Sequence, residues 1–197
     1  MQPVFATNRI DLYLFQISAA IWFIPELIST FTQNRAREGQ THDRASSFVL
    51  IICIYAGIFL GLKTSFSAQQ YAIPWSRTLL FGIGLILILG GVAFRWYAIW
   101  VLGRYFTRVV TIQPDQTVIE KGPYRYIRHP SYSGAVLSFL GFGLALTNWL
   151  SLGLVVLGTI FGYAYRVQVE EKALVEGLGQ PYRDYMQRTK RFIPFVF

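Results

Sequence analysis

Side chains that can bind a charged ligand crowd into residues 122–134, which read Gly-Pro-Tyr-Arg-Tyr-Ile-Arg-His-Pro-Ser-Tyr-Ser-Gly. His129 precedes Pro130, and this order disfavours helical geometry at the histidine while it suits the first turn of a helix at the proline. We therefore predict that a helix begins here, with exposed backbone N–H groups near Ser131 and Tyr132. The start of a helix attracts an anion such as a carboxylate, so this segment is a candidate binding site.

A second polar cluster, residues 166–174, follows a later apolar segment. On a helix, Arg166 and Glu170 are four residues apart and share one face. In water such a pair is a solvated ion pair worth only about 0.3–0.5 kcal/mol. In a partly dehydrated pocket the arginine would bind an anionic ligand, and the glutamate would bind a cation or ribose hydroxyls. The residues alone leave both interpretations open, and residues 122–134 are also typical of aromatic and basic side chains that anchor a helix at a membrane interface.

The elements that must position these clusters are membrane helices. The chain has 197 residues, of which 53% are hydrophobic and 14% charged, and its mean hydropathy is +0.40. A soluble domain usually has about a quarter of its residues charged, and several apolar runs here reach the roughly 17–25 residues that cross a bilayer. We predict an all-α integral membrane protein with about five transmembrane helices, a long loop and a C-terminal helical extension.

The whole chain, residues 1–197, is predicted to form a single membrane domain. Its expected spans are residues 12–31, 47–62, 78–102, 131–147 and 149–165. The last two spans are separated by a single residue, which predicts a tight antiparallel hairpin. The fifth helix should continue to Leu178, where Gly179 and Pro181 end it. Two short extended pieces are expected in the long loop, at residues 109–112 and 117–119, with a turn at Pro114 and Asp115 between them. A short amphipathic tail, residues 182–191, is expected to precede an apolar C-terminus, residues 192–197, that lies at the interface.

The distribution of charge predicts the orientation. The net charge is +8, but the basic residues lie between apolar segments, which argues against nucleic acid and favours contacts with anionic lipid headgroups. With five spans, fourteen Lys and Arg residues fall on one side and three on the other. The positive-inside rule then places the long loop and the C-terminus in the cytoplasm and the N-terminus on the opposite side. Glu26 makes the first span a poor lipid-facing helix, Arg95 lies within the third span, and we predict no metal site.

Several motifs together resemble the isoprenylcysteine carboxyl methyltransferase family. They are Arg128-His129-Pro130-Ser131-Tyr132-Ser133-Gly134, Asn148, Glu170-Glu171-Lys172-Ala173-Leu174, Gly179, Tyr182, Tyr185 and Arg191-Phe192-Ile193-Pro194. The resemblance covers about the C-terminal half, from Phe94 onward, whereas the first two spans match only in hydropathy. Integral-membrane sterol reductases and phospholipid N-methyltransferases carry similar Arg-His-Pro-x-Tyr segments, and the paired glutamates before a leucine favour the methyltransferase branch.

The resemblance implies an S-adenosylmethionine-dependent methyltransferase with a cytoplasmic cofactor-binding loop and a catalytic region at about residues 104–197. Its substrate would be lipophilic, most simply the carboxylate of an isoprenylated cysteine or a similar lipid-linked acid. Arg166 and Glu170 would be the catalytic pair, and Arg166 would orient the substrate carboxylate. The implied cofactor-binding residues are Gln116, Thr117, Val118, Ile119, Tyr124, His129, Pro130, Ser131, Tyr132 and Glu170.

The expected methyl transfer needs no general base, because a carboxylate is already ionised near neutral pH. His129 is therefore expected to hydrogen-bond the cofactor rather than to act as a base. The lipophilic substrate would enter from the bilayer between helices beside the glycine-rich third span, in which Gly82-Ile83-Gly84 indicates close helix packing rather than a nucleotide loop. The partners are thus a prenylated or other lipophilic substrate and membrane lipids. Three alternatives remain open: an NAD(P)H-dependent reductase of the sterol reductase type, a phospholipid or amine N-methyltransferase, and a non-catalytic membrane protein.

Overall fold

The computed structural model describes residues 1–33, 40–43, 45–107, 110–113 and 115–193. These residues contain the helices α1 (Arg9–Gln33), α2 (Ala45–Ser67), α3 (Arg77–Leu102), α4 (Pro130–Ala145), α5 (Trp149–Leu178) and α6 (Gln180–Arg188). Two short strands, β1 (Gln40–Asp43) and β2 (Val110–Ile112), pair antiparallel. Single turns of 3-10 helix lie at Val4–Ala6, Gln69–Tyr71, Gly103–Tyr105 and Gly122–Arg125.

Within the described part of the chain, four helices are long and apolar enough to cross a membrane. They are Arg9–Ile28, Ala45–Ser67, Arg77–Tyr105 and Trp149–Leu178. The remaining predicted span, residues 131–147, corresponds to α4, which has 16 residues and is therefore about 24 Å long, shorter than the hydrocarbon core of a typical bilayer. The prediction of an all-α integral, multi-pass membrane protein is confirmed, and the predicted number of five spans is approximate.

Except for α4, which ends at Ala145, the observed helices extend beyond the predicted spans, most clearly at the end of α2, which was expected to stop at Leu62 and runs to Ser67. Polar residues follow Leu62, but their hydroxyls bond to carbonyls of their own helix, Thr64 to Leu60 at 2.7 Å and Ser67 to Lys63 at 2.9 Å. The helix therefore satisfies these side chains internally and continues into them. The predicted end of α5 at Leu178 is confirmed, and Gly179 has a left-handed φ of 65° before α6 begins.

Glycines bring α3 and α4 into backbone contact. A Cβ atom added at Gly84 would lie 2.6 Å from the carbonyl oxygen of Gly141, and one added at Gly91 would lie 2.5 Å from that of Gly134. Each helix thus contributes two glycines seven residues apart, or about two turns, to one antiparallel contact. Gly84 has the predicted packing role, whereas a Cβ at Gly82 would meet nothing within 4 Å.

The predicted hairpin joins α4 to α5 through a very short link. Thr147 adopts a left-handed φ of 51°, and the Asn148 side chain caps α5 by accepting a hydrogen bond from the backbone N–H of Ser151 at 3.1 Å. The cap satisfies a backbone donor that the start of a helix otherwise leaves unpaired. The two helices therefore run antiparallel, as predicted, and the hairpin places the start of α4 at the same end of the molecule as the last turns of α5.

The connecting segments lie at the two ends of the bundle in the same grouping that was used to count Lys and Arg residues on each side of the membrane. The N-terminus contacts the α2–α3 connection, where Met1 N donates to Gln69 Oε1 at 2.9 Å. That connection also meets the α4–α5 link, because Ile73 N donates to the Thr147 carbonyl at 3.0 Å. At the other end, the pairing of β1 with β2 joins the described part of the first loop to the long loop.

Two details of the predicted loops differ from the structure. The segment at residues 110–112 is extended as predicted, but its partner is β1 in the first loop, whose short polar sequence gave no strand signal. The second expected extended piece, residues 117–119, has no regular structure. Several predicted features lie outside the described residues: Val109 and Pro114 of the long loop, Arg35, Arg37, Glu38 and Arg44 of the first loop, and residues 194–197 of the apolar C-terminus.

The two charged residues noted within the spans form an ion pair. Arg95 Nε lies 2.5 Å from Glu26 Oε1, and Arg95 Nη2 lies 3.2 Å from Glu26 Oε2. The Glu26 side chain is 19% exposed, which agrees with the expectation that it avoids the lipid face. Arg95 Nη1 also donates to the Ser131 carbonyl at 3.0 Å. The pair therefore joins α1 and α3 to the first turn of α4, and each charge compensates the other inside the bundle.

Candidate functional site

Ten of the eleven site residues predicted from the sequence line one cavity. The cavity encloses about 790 Å³ of empty space, which includes the open solvent at its mouth. Pro130 is the exception, because it is buried as the first residue of α4 and is not among the lining residues. Other lining residues were not predicted as site residues, and they include Tyr105, Phe106, Leu174, Leu178, Tyr182 and Tyr185.

The cavity lies where three parts of the chain meet. One wall is formed by residues 102, 105–107, 112 and 116–119. The 3-10 turn at Gly122–Arg125 and the start of α4 form another, and the last turns of α5 with α6 form the third. The polar lining is contributed mostly by the start of α4 and by α5, and the loop wall is mainly apolar and aromatic. This division separates a charged region from an apolar region within one cavity.

The helix α4 starts where the sequence predicted, but some backbone N–H groups of its first turn already donate hydrogen bonds within the protein. Tyr132 N and Ser133 N both donate to the His129 carbonyl at 3.0 Å, so the expectation of an exposed N–H group at Tyr132 is wrong. The reason is that the N-cap residue contributes its carbonyl to the first turn. The His129 ring is 4% exposed, and its Nε2 lies 3.2 Å from Glu171 Oε1. The His129 ring is thus bound to Glu171 through its Nε2 atom.

A carboxylate, a phenol and a guanidinium meet at the polar side of the cavity. Tyr132 donates its hydroxyl to Glu170 Oε2 at 2.5 Å. Arg166 Nε lies 3.4 Å from the Tyr132 oxygen and 3.9 Å from Glu170 Oε2. The Arg166 side chain is 2% exposed and the Glu170 side chain 26% exposed. The predicted pair on α5 is therefore not a solvated surface ion pair, since the arginine is buried and both residues line the cavity.

The first turn of α2 reaches the same arginine. Arg166 Nη1 donates to Ser46 Oγ at 2.8 Å and to Ser47 Oγ at 2.9 Å. The sequence reasoning did not select these serines, because a pair of serines at the start of an apolar helix is an ordinary feature of a helix terminus. Their contact with a residue about 120 positions later became visible only in the folded chain.

Glu171, next to Glu170, has a different environment. It is 5% exposed and accepts from Arg128 Nε at 2.9 Å and from Arg191 Nη2 at 2.9 Å, in addition to its contact with His129. Arg128 Nη1 also donates to the Met186 carbonyl at 3.1 Å and to the Thr189 carbonyl. Arg128, Glu171 and Arg191 all belong to the motifs noted in the sequence, but only the fold shows that one carboxylate binds both arginines.

The C-terminal segment is bound to the start of α4 through its backbone as well. Arg128 N donates to the Lys190 carbonyl at 2.7 Å, and His129 N donates to the Arg191 carbonyl at 3.0 Å. Because α6 buries Tyr182 and Tyr185 against the cavity, this part of the predicted amphipathic tail packs on the protein. The tail therefore helps to close the cavity.

Two tyrosines at the base of the cavity are neutral hydrogen-bond donors. Tyr185 donates its hydroxyl to the Tyr124 carbonyl at 2.6 Å, which connects α6 to the 3-10 turn before α4. Burial raises the pKa of both the Tyr124 and the Tyr185 hydroxyl above the usual range. Both side chains therefore stay protonated near neutral pH and contribute no charge. Within the described residues, no three His, Cys, Asp or Glu side chains are grouped to hold a metal ion.

Comparisons with known proteins cover the same part of the chain. The sequence model of the isoprenylcysteine carboxyl methyltransferase (ICMT) family matches residues 83–176. A probable protein-S-isoprenylcysteine O-methyltransferase of Oryza sativa subsp. indica is 32% identical over 116 residues, 58% of this chain and 61% of the relative. The protein-S-isoprenylcysteine O-methyltransferase of Saccharomyces cerevisiae is 28% identical over 161 residues, 80% of this chain and 65% of the relative.

The fold agrees with this similarity. The solved structure of the eukaryotic intramembrane Ras methyltransferase ICMT superposes with a TM-score of 0.57 and 26% sequence identity, over 78% of this chain and 53% of that one. This chain spans about 61% of the length of the rice relative. The matched residues 83–176 include the predicted site residues from Gln116 to Glu170 and exclude Ser46 and Ser47. Sequence, fold and motif positions are therefore all similar to those of the isoprenylcysteine carboxyl methyltransferase family.

Proposed function

We propose that this protein is an S-adenosylmethionine-dependent methyltransferase that acts on the carboxylate of an isoprenylated cysteine or of a similar lipid-linked acid. One observation carries the proposal: Arg166 and Glu170, one turn apart on α5, line the same cavity as the start of α4. A buried guanidinium beside a carboxylate can hold an anionic acceptor next to a cationic methyl donor. The names of the relatives, which are isoprenylcysteine O-methyltransferases, support this assignment.

The lining residues fit S-adenosylmethionine, which combines a cationic sulfur and ammonium with ribose hydroxyls and an aromatic base. Glu170 is a carboxylate that remains 26% exposed toward the cavity, so it can bind the ribose hydroxyls or a cationic group. Tyr105 and Phe106 on the loop wall offer aromatic surface to the base.

The residues of this chain would act by binding and orientation. When bound, S-adenosylmethionine supplies a methyl carbon on a cationic sulfur that becomes a neutral thioether as the methyl group leaves. Arg166 would bind the acceptor carboxylate and point one of its oxygens toward the methyl carbon. No residue has to remove a proton, because the carboxylate is ionised near neutral pH. Alignment of the reacting groups can contribute up to about 7–11 kcal/mol, and the buried setting of Arg166 keeps water from competing for it.

The two parts of the substrate would approach the site from different sides, the lipophilic part from the bilayer and the carboxylate from the cytoplasm. Under the positive-inside rule, the cavity end of the bundle, with the β1–β2 pair, faces the cytoplasm, and the N-terminus lies on the opposite side. The isoprenyl chain would then stay in the lipid while the carboxylate enters the cavity. The expected entry beside the third span is restricted, because the backbone contacts at Gly84 and Gly91 leave no passage between α3 and α4 there.

Cofactor binding separates the proposal from its alternatives. Purified protein in detergent should bind S-adenosylhomocysteine in a calorimetric titration, and Glu170→Ala and His129→Ala should each weaken that binding. Unchanged affinity in both variants would contradict the assigned site. Retention of labelled NADPH without S-adenosylhomocysteine binding would favour a reductase of the sterol reductase type. A folded protein that binds neither ligand would be a non-catalytic membrane protein, and methyl transfer only to a lipid amine would indicate an N-methyltransferase.

A further inference from the structure

We infer that Ser46 and Ser47, in the first turn of α2, position the Arg166 guanidinium so that it recognises the carboxylate of the acceptor. The inference rests on the proposed function, in which Arg166 binds that carboxylate. It adds two residues from the N-terminal half of the chain, which lies outside the matched residues 83–176.

The guanidinium is held from two sides. On one side, Nη1 has two N–H groups and two serine acceptors, with Ser46 Oγ at 2.8 Å and Ser47 Oγ at 2.9 Å. On the other side, Nε faces the Tyr132 oxygen at 3.4 Å and Glu170 at 3.9 Å. Since the guanidinium is planar and rigid, fixing Nη1 and Nε fixes the direction of the whole group.

Because Arg166 and Ser46 are buried, the loss of a serine hydroxyl would change the hydrogen bonding of the guanidinium. The Arg166 side chain is 2% exposed and Ser46 is 0% exposed, so bulk water cannot easily replace a lost serine hydroxyl. A buried charged group that loses a hydrogen-bond partner is left poorly satisfied, and it moves toward another acceptor if one is available. Among the contacts described for Arg166, the carboxylate is that of Glu170, at 3.9 Å. Without the serines, the guanidinium would therefore turn toward Glu170 and away from an orientation suited to the acceptor.

The serines act through Arg166 and not by touching the ligand. Neither serine is among the residues that line the cavity, whereas Arg166 is. Their position is fixed by the β1–β2 pair, because β1 ends at Asp43, shortly before α2, and β2 contains Ile112, which lines the cavity. A Cβ added at Gly177 of α5 would lie 2.9 Å from Ile112, so the sheet is packed closely against α5. The N-terminal half is thus connected to the site at two points.

The experiment compares two probes that differ at the carboxyl group. N-acetyl-S-farnesylcysteine presents a carboxylate, and its methyl ester lacks that negative charge. Each is titrated calorimetrically into the full-length protein in detergent, saturated with S-adenosylhomocysteine. The test variant is Ser46→Ala/Ser47→Ala. The control is Ser65→Ala, which removes an equally buried hydroxyl from the same helix, because Ser65 is 1% exposed and donates only to the Leu62 carbonyl of α2 among the described contacts.

The wild-type protein should bind the acid more tightly than the ester. The double variant should lose roughly tenfold of that preference, the amount expected for hydrogen bonds to a charged group, while its affinities for the ester and for S-adenosylhomocysteine stay unchanged. Ser65→Ala should keep the wild-type preference. A purely structural role of the serines would lower the affinity for all three ligands together. The single variant Ser47→Ala, at a half-buried position, should show a smaller loss of preference and serves if the double variant does not fold.

Three outcomes overturn the inference, and they are distinguishable. If the double variant keeps the wild-type preference for the acid, the serines do not position Arg166, and the proposed function stands. If acid, ester and S-adenosylhomocysteine are weakened equally, the serines are structural, and again the proposed function stands. If the wild-type protein does not bind S-adenosylhomocysteine at all, the proposed function fails and this inference fails with it.

Discussion

Tyr132 on α4 and Glu170 on α5 are joined by a 2.5 Å hydrogen bond between the phenol and the carboxylate. The bond links the Arg-His-Pro-x-Tyr element to the paired glutamates, two motifs that are 38 residues apart in the sequence. It also directs the carboxylate of Glu170 beside Arg166 at the polar side of the cavity. The two motifs therefore form a single site.

Replacement of Glu170 by glutamine should weaken the binding of S-adenosylhomocysteine by at least about tenfold, because a charge-assisted hydrogen bond to the ligand is lost. Calorimetry in detergent measures the effect. Glu176→Gln removes a carboxylate from an exposed position of the same helix and is the matched control. Equal affinities of Glu170→Gln and Glu176→Gln would remove Glu170 from the binding site.

Glu171 should matter for stability and for the position of the C-terminal segment. Glu171→Gln leaves Arg128 and Arg191 without their carboxylate, and breaking a buried pair in this way costs about 3–5 kcal/mol. We expect a lower midpoint of thermal unfolding and faster proteolysis after α6. Glu120→Gln breaks an exposed ion pair with Arg188 and should change neither measurement noticeably. Similar behaviour of the two variants would show that the Glu171 cluster does not stabilise the fold.

The Glu26–Arg95 pair should show strong energetic coupling. The single variants Glu26→Leu and Arg95→Leu each remove one partner of this ion pair inside the bundle, at a cost of about 3–5 kcal/mol. The double variant removes both charges and should be more stable than either single variant, although the Ser131 carbonyl loses its contact with Arg95. A double-mutant cycle of unfolding midpoints measures the coupling. Additive effects of the two substitutions would contradict the pairing.

Neighbouring glycines of α3 offer a sharp test of the helix packing. A Cβ at Gly91 would lie 2.5 Å from the Gly134 carbonyl oxygen, so Gly91→Ala should push α4 away and lower the unfolding midpoint. At Gly90 a Cβ would meet nothing within 4 Å, and Gly90→Ala should be neutral or slightly stabilising. The reverse order of the two midpoints would contradict the contact between α3 and α4.

The features that could be predicted from the sequence are those with local signals. Long apolar runs predicted the helices, the His129-Pro130 step predicted the start of α4, and the glycine after Leu178 predicted the end of α5. The grouping of site residues came from motifs whose members are far apart in the sequence, so the resemblance was needed to connect them.

What the sequence did not predict depends on tertiary contacts. The pairing of β1 with the long loop, the contact of Ser46 and Ser47 with Arg166, and the two arginines around Glu171 join residues that are about 20 to 120 positions apart. Arg128, Glu171 and Arg191 belong to the motifs noted in the sequence, but no local signal shows that these side chains meet. Pro130 was predicted as a cofactor-binding residue because it lies within the motif. In the structure it is buried at the start of α4 and does not line the cavity.

Transfer of a labelled methyl group tests the central claim most directly. Purified protein in detergent is incubated with S-adenosylmethionine labelled in its methyl group and with N-acetyl-S-farnesylcysteine, and the product is treated with base. We predict that the label appears in the farnesylated product and is released by base as volatile methanol, as expected for a methyl ester, and that Arg166→Gln reduces the rate strongly. A folded wild-type protein that transfers no label to this acid would contradict the proposed function.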